Sequence, residues 1–127
     1  MIAPVKYLVG ISAVIIAVFS SLGFYLVRGT PVSKELVASG HNHILSFAYG
    51  AILFALLLKK LDVSNTVKWI LAVWMTLSFL GPLDLIYAGF TGDRAYLSFT
   101  SPAFNGSFVV LWLAMAYFVV TSKDKKE

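Results

Sequence analysis

The sequence has no cysteine, few charged residues and only two histidines among its 127 residues. Without cysteine, the chain cannot form disulfides or provide the thiolate ligands of iron–sulfur clusters and thiolate metal sites. Asp, Glu, Lys and Arg make up 13% of the residues, against about 25% in an ordinary soluble domain. The sequence also shows no glycine-rich phosphate loop and no nucleophile paired with a base, which disfavours a hydrolase or a nucleotide-binding protein.

Apolar residues, in contrast, are abundant: they form 59% of the chain and give a mean hydropathy of +0.85. Four long apolar segments cover about residues 5–27, 41–58, 67–90 and 103–121. A helix of about 20 residues crosses a hydrocarbon core of about 30 Å. We therefore predict an all-α integral membrane protein, in which residues 1–127 form one transmembrane domain. Because the connections are short, the four helices are expected to form an up-and-down bundle.

The distribution of lysine and arginine predicts the orientation of the bundle. The side with both termini has seven basic residues and the opposite side has three, Arg28, Lys34 and Arg94. The seven are Lys6, Lys59, Lys60, Lys68, Lys123, Lys125 and Lys126. By the positive-inside rule, both termini face the cytoplasm, which gives an N-in and C-in bundle in the cell membrane. The net charge of +4 then comes from lysines that meet lipid headgroups, so no nucleic-acid partner is expected.

Three ionisable residues are predicted to lie near the outer ends of the spans. Asp84 lies six residues before Phe90, the outer end of the third segment, which corresponds to a depth of about 9 Å in a helix. An ionisable group there costs roughly 2.5–3.5 kcal/mol, so Asp84 needs a partner or a pocket, and Pro82 can kink its helix. His41 and His43 begin the second apolar segment on the same side, although its helix can start a turn or two earlier, through Glu35 to Ser39. Residues two apart in a helix point about 200° apart, so both histidines can bind one metal ion only if they precede the helix.

Three chemical roles fit this group of residues. In the first, His41 or His43 ligates a haem iron. In the second, His41, His43 and Asp84 bind copper or another transition metal, for which imidazole and carboxylate are suitable ligands. In the third, a histidine forms a hydrogen bond to Asp84 and holds two helices together. Asn105 and Ser107 either join the same polar cluster or cap the fourth helix.

The residues around the histidines also form a distinctive pattern. The first helix ends with Ser-Leu-Gly-Phe-Tyr (residues 21–25), and the second opens with Ala-Ser-Gly-His-Asn-His-Ile-Leu-Ser-Phe (residues 38–47). This Gly-His-x-His motif resembles the second-helix region of haem–copper oxidase subunit I and of the NnrS-type haem–copper membrane proteins. The resemblance implies that one of the two histidines ligates haem. The oxidases have further histidines on other helices, and this chain has none. The second ligand is therefore predicted to be Met75, Met115, an exogenous ligand or a histidine of another chain.

We predict a small accessory subunit of a multi-subunit membrane oxidoreductase of respiratory type. The subunit would pack against other integral membrane subunits and lipids, and would help to hold a haem or a metal such as copper near the outer face. A chain of 127 residues with one polar cluster offers too few groups for catalysis alone. Two alternatives stay open. One is an autonomous homo-oligomer in which two copies of His41 or His43 bind one cofactor, and the other is a small transporter that uses Asp84.

Overall fold

The computed structural model describes residues 2–28 and 31–122 and, within the first helix, the side chains as far as Ser21. The helices are α1 (Ala3–Arg28), α2 (Lys34–Lys60), α3 (Asn65–Ser78), α4 (Leu80–Thr91), α5 (Leu97–Thr100), a π-helical turn (Ser101–Asn105) and α6 (Gly106–Thr121). No β-strand occurs among the described residues. Lys123, Lys125 and Lys126, which contribute to the charge count, lie outside the described residues, as does the side chain of Arg28.

Four helical stretches are long and apolar enough to cross a membrane, as predicted, and they are called spans below. Span one is Ala3–Ser21 of α1, and span two is the whole of α2. Span three joins α3 and α4 (Asn65–Thr91), and span four runs from α5 to the end of α6 (Leu97–Thr121). The all-helical fold follows directly from the four apolar segments, because each of them supplies the about 20 residues that a crossing helix needs.

All four spans begin before their apolar segments, and the difference is larger than one helical turn in spans two and four. Helix α2 begins at Lys34, about two turns before residue 41, which agrees with the earlier of the two predicted starts; the Ser33 side chain accepts the backbone N–H of Leu36 at 3.4 Å and caps the helix. Span four begins at Leu97 rather than near residue 103, since helical turns already precede the last apolar segment. Helix ends are set by caps and backbone hydrogen bonds, and hydropathy contains no information about either.

Helix α2 is the central helix of the bundle and packs against α1, α3, α4 and α6. Nine of its residues are buried, so more than one face of the helix is covered. Among them, Ala48, Ala51 and Ala55 are fully buried, and such small residues let helices approach closely. Phe47 stacks on Phe108 of α6, with the ring centroids 4.0 Å apart and the planes 6° from parallel. The position of α2 therefore determines how the histidines are presented.

The two ends of the bundle are packed differently. Val5 and Leu8 of α1 belong to one buried hydrophobic cluster with Phe54 and Leu58 of α2, and this core lies toward the end that holds the N-terminus. At the opposite end, where α2 begins, contacts with α4 depend on glycine. A Cβ atom on Gly40 would lie 2.8 Å from the Pro82 carbonyl oxygen and 2.9 Å from the Ile86 nitrogen. The backbones of α2 and α4 are thus too close for any side chain at position 40.

Spans three and four are both irregular, and the irregular turns touch each other. Pro82 has no N–H to donate to the carbonyl of Ser78, and the helix is interrupted between α3 and α4. Span four widens into the π-helical turn before α6 begins. A Cβ atom on Gly81 would lie 2.8 Å from the Asn105 side-chain oxygen, so the two turns are in direct contact. This contact lies beside the helix that carries Asp84.

Candidate functional site

The Gly-His-x-His motif lies inside α2, about two turns beyond its first residue. Within a regular helix, His41 and His43 point in nearly opposite directions. His41 is accordingly half-buried, whereas His43 is exposed. The condition under which both histidines could bind one metal ion, a motif that precedes the helix, is not met. Each histidine must therefore be considered separately.

His41 connects α2 to α1. Its Nε2 atom lies 2.9 Å from the backbone carbonyl oxygen of Phe19. A carbonyl oxygen can only accept a hydrogen bond, so Nε2 of His41 carries the proton and donates it. A histidine that holds two helices together was one of the three predicted roles. His41 has this role, but its partner is a main-chain carbonyl of α1 and not Asp84. This bond uses Nε2, so His41 could bind a metal ion only through Nδ1 of a half-buried ring, which makes it the less accessible of the two histidines.

His43 has one ring nitrogen fixed and the other free. Its Nδ1 atom donates to the carbonyl oxygen of Ser39 at 2.6 Å, and the Ser39 hydroxyl oxygen lies 3.3 Å away. The ring is also edge-on to Phe47, with the centroids 6.4 Å apart. Nε2 makes no hydrogen bond to any described residue. In the neutral ring, the proton is on Nδ1 and the available lone pair is on Nε2.

Asp84 is bonded to a hydroxyl group and not to a histidine. The Thr100 hydroxyl, in the last turn of α5, donates to Oδ2 of Asp84 at 2.5 Å. The same hydroxyl oxygen lies 2.9 Å from the carbonyl oxygen of Tyr96. The bond to Asp84 joins span three to span four. The predicted metal ligands His41, His43 and Asp84 therefore have three separate polar partners, and the described contacts do not bring them together.

Asn105 and Ser107 form hydrogen bonds within their own span. The Asn105 amide donates to the Ser101 hydroxyl oxygen at 3.0 Å, and the Ser107 hydroxyl donates to the Ala103 carbonyl at 2.7 Å. The Asn105 side chain forms no cap at the start of α6, because the chain is already helical before this point, so the capping prediction was wrong. The side-chain oxygen of Asn105 is buried and has no hydrogen-bond partner. It leaves an uncompensated polar atom at the contact between the two irregular turns.

Met75 and Met115 lie in the interior of the bundle. Both are almost completely buried in the core cluster, and the Met75 sulfur lies 3.8 Å from the Ser78 hydroxyl. His43, in contrast, is exposed. A methionine of the same chain is therefore not placed to be the second ligand of a haem held by His43. Of the predicted second ligands, an exogenous molecule and a residue of another chain fit this geometry.

Two partners in this region were missed by sequence reasoning. Thr100 lies 16 residues after Asp84, and no periodic pattern connects the two positions. The partner of His41 is a main-chain carbonyl, a group that every residue has. Within residues 2–28 and 31–122, no group of three or more His, Cys, Asp or Glu side chains could hold a metal ion. Haem or copper binding stays a prediction.

The fold defines a class of protein, an all-helical chain with four helices suited to crossing a membrane. It does not define a family, because no family model, no curated protein and no solved structure matches the chain. The resemblance of the Gly-His-x-His motif to the haem–copper proteins therefore stays a prediction. What the structure adds is the different position of each histidine.

Proposed function

We propose that this protein is a small accessory subunit of a multi-subunit membrane oxidoreductase of respiratory type. In this proposal His43 supplies one ligand to a haem or copper centre that is completed by another chain. His41 has no ligand role and holds α2 against α1. The charge distribution orients both termini to the cytoplasm, and the start of α2 with its histidines then lies near the outer face of the membrane.

The observation that carries this proposal is the hydrogen bond of His43 together with the exposure of its ring, since His41 makes a similar bond but is half-buried. A histidine that ligates a metal through one ring nitrogen usually donates the N–H of the other to a carboxylate, a backbone carbonyl or a water, which fixes the tautomer and the ring orientation. The 2.6 Å bond from Nδ1 to the Ser39 carbonyl supplies this support. Nε2, on an exposed ring, has no hydrogen-bond partner within residues 2–28 and 31–122 as far as their side chains are described.

The ligands that this chain offers fit a haem or copper centre shared with another chain better than a centre bound by this chain alone. At the outer surface of α2, His43 offers a single nitrogen, whereas haem or copper sites use more than one protein or exogenous ligand. The methionines that were predicted as second ligands are buried in the core. If bound, such a centre would supply one-electron redox chemistry, and the part of this chain would be to hold it through Nε2 of His43.

The test is to purify the full-length chain from its native membrane in a mild detergent. Co-purifying chains are identified by mass spectrometry, and an absorption spectrum and a metal analysis are recorded on the same sample. We expect larger membrane subunits together with a Soret band or stoichiometric copper. The change His43→Ala should remove this signal, and the matched change His41→Ala, in the same motif, should retain it.

Each outcome of this experiment decides between the alternatives. A lone oligomer with one cofactor per pair of chains would replace the accessory subunit with the autonomous homo-oligomer, in which two His43 residues bind one centre. A native sample without haem or metal, or an unchanged spectrum in His43→Ala, would refute the ligand role. A fully active oxidoreductase complex after deletion of this chain would refute the accessory role.

A further inference from the structure

A groove of about 350 Å³ lies between span three and span four, away from the ring of His43. Its lining is almost entirely apolar and rich in aromatic residues, and includes Tyr87, Tyr96 and Phe104 together with two leucines. Asp84 and Thr100, joined by their hydrogen bond, also line it. The groove therefore combines one carboxylate with several aromatic rings on an apolar surface.

The carboxylate of Asp84 has no positively charged partner in the described part of the chain. Its one hydrogen bond comes from the neutral hydroxyl of Thr100. An ionised carboxylate in an apolar environment is unfavourable unless a cation or several hydrogen bonds compensate it. One hydroxyl is weak compensation, and span three is long and apolar enough to place this group inside a membrane. The groove consequently favours a ligand that brings a positive charge.

From this combination we propose that the groove binds an organic ammonium group attached to an apolar body. Aromatic rings attract such cations through the negative potential of their faces, with quaternary ammonium groups as the best-known ligands. A metal ion such as Ca²⁺ needs six or more oxygen ligands, whereas Asp84 and Thr100 offer far fewer. The apolar lining accepts the hydrocarbon part of the ligand. Two kinds of ligand carry an ammonium group on an apolar body: a lipid with a choline headgroup and a free lipophilic amine.

The first experiment measures binding of tetrabutylammonium to the full-length protein in dodecyl maltoside by isothermal titration calorimetry. We expect Asp84→Asn to weaken binding about tenfold or more, because the variant keeps an oxygen for the Thr100 bond and loses only the charge. The matched control is Asp93→Asn, which removes the same charge from an exposed loop residue. At about 0.15 M salt, where charges are screened beyond about 8 Å, this control should change affinity less than about twofold.

The aromatic residues are tested with a second pair of variants. Tyr87 is 51% exposed in the groove, and Tyr49 is 57% exposed on α2, outside it. Tyr87→Leu should weaken binding about two- to fivefold, the size of an exposed cation–π contact, whereas Tyr49→Leu should leave it unchanged. Both exposed positions tolerate leucine, so loss of folding would not explain the difference.

The proposal is overturned if the wild-type protein does not bind tetrabutylammonium, or if Asp84→Asn binds it as well as the wild type does. The first result would show that the groove does not accept an organic ammonium group. Native mass spectrometry from nanodiscs of mixed phosphatidylcholine and phosphatidylglycerol distinguishes the two sources. Retention of phosphatidylcholine by the wild type and not by Asp84→Asn would identify a lipid ligand. Equal retention with tetrabutylammonium binding intact would identify a free amine.

Discussion

The change Gly40→Ala is a direct test of how α2 is held against α4. A Cβ atom at this position would lie 2.7 Å from Cγ1 of Ile86, 2.8 Å from the Pro82 carbonyl oxygen and 2.9 Å from the Ile86 nitrogen. Two of these three atoms are in the main chain and cannot rotate away. One of the helices must therefore move. Inserting a methyl group into such a packed contact costs about 1–3 kcal/mol.

Gly10 in α1 provides the matched control, since a Cβ atom there has no atom within 4 Å. Alanine is the better helix former by about 1 kcal/mol, and both glycines lie inside helices. This gain is therefore common to the two variants, and the difference between them isolates the steric clash. We expect Gly40→Ala to have a free energy of unfolding about 1–3 kcal/mol lower than that of Gly10→Ala.

The measurement is reversible unfolding of the full-length protein in mixed micelles of dodecyl maltoside and sodium dodecyl sulfate. The three tryptophans of the chain provide a fluorescence signal for loss of helix packing. Equal stabilities of Gly40→Ala and Gly10→Ala would show that α2 and α4 are not in close contact at position 40. That result would remove the steric reason for a glycine at this position of the motif.

Three further predictions concern helix contacts and use the same unfolding assay or hydrogen exchange. His41→Ala should lower the free energy of unfolding by about 0.5–1.5 kcal/mol, because its bond to α1 is lost. His43→Ala should change the free energy of unfolding by less than about 0.5 kcal/mol. A larger loss in His43→Ala than in His41→Ala would contradict the packing role given to His41. Phe54→Ala removes a fully buried ring and should lower the free energy of unfolding by about 3–5 kcal/mol. The control is Phe99→Ala, at a ring that is 70% exposed. Equal stability of the two variants would contradict the described core. Pro82→Ala should join α3 and α4 into one helix, so the new amide should exchange slowly, and rapid exchange would refute the proline as the cause of the interruption.

The number of spans was predictable because a membrane imposes a simple length requirement. Every segment that crosses must supply about 20 apolar residues and satisfy its own backbone hydrogen bonds. The four apolar segments could be counted without knowledge of any tertiary contact, and all four are helices in the structure. The interruption between α3 and α4 lies close to Pro82, whose missing N–H removes one helix hydrogen bond, whereas the predicted kink stays a prediction.

The positions of functional side chains were harder to predict because they depend on where helices begin and on what lies opposite. The Ser33 cap starts α2 before the apolar segment, which places both histidines inside the helix on different sides. The Thr100 bond to Asp84 requires span four to begin before residue 103, which its polar residues did not indicate. The main-chain partner of His41 leaves no trace in the sequence, because every residue carries a carbonyl.

Within the Gly-His-x-His motif, Gly40 and His41 have a role in helix packing, and His43 has none among the described contacts. Gly40 is required by the approach of α4, and His41 is explained by its bond to α1. A chain with no cofactor would need both residues for the bundle alone. His43 is different, since it lies on the outside of α2 and, among the described residues, its polar contacts are with Ser39 in its own helix. No contact with the described part of another helix requires an imidazole there, so the case for a haem or metal ligand depends on His43, and replacement of this one residue is the decisive substitution.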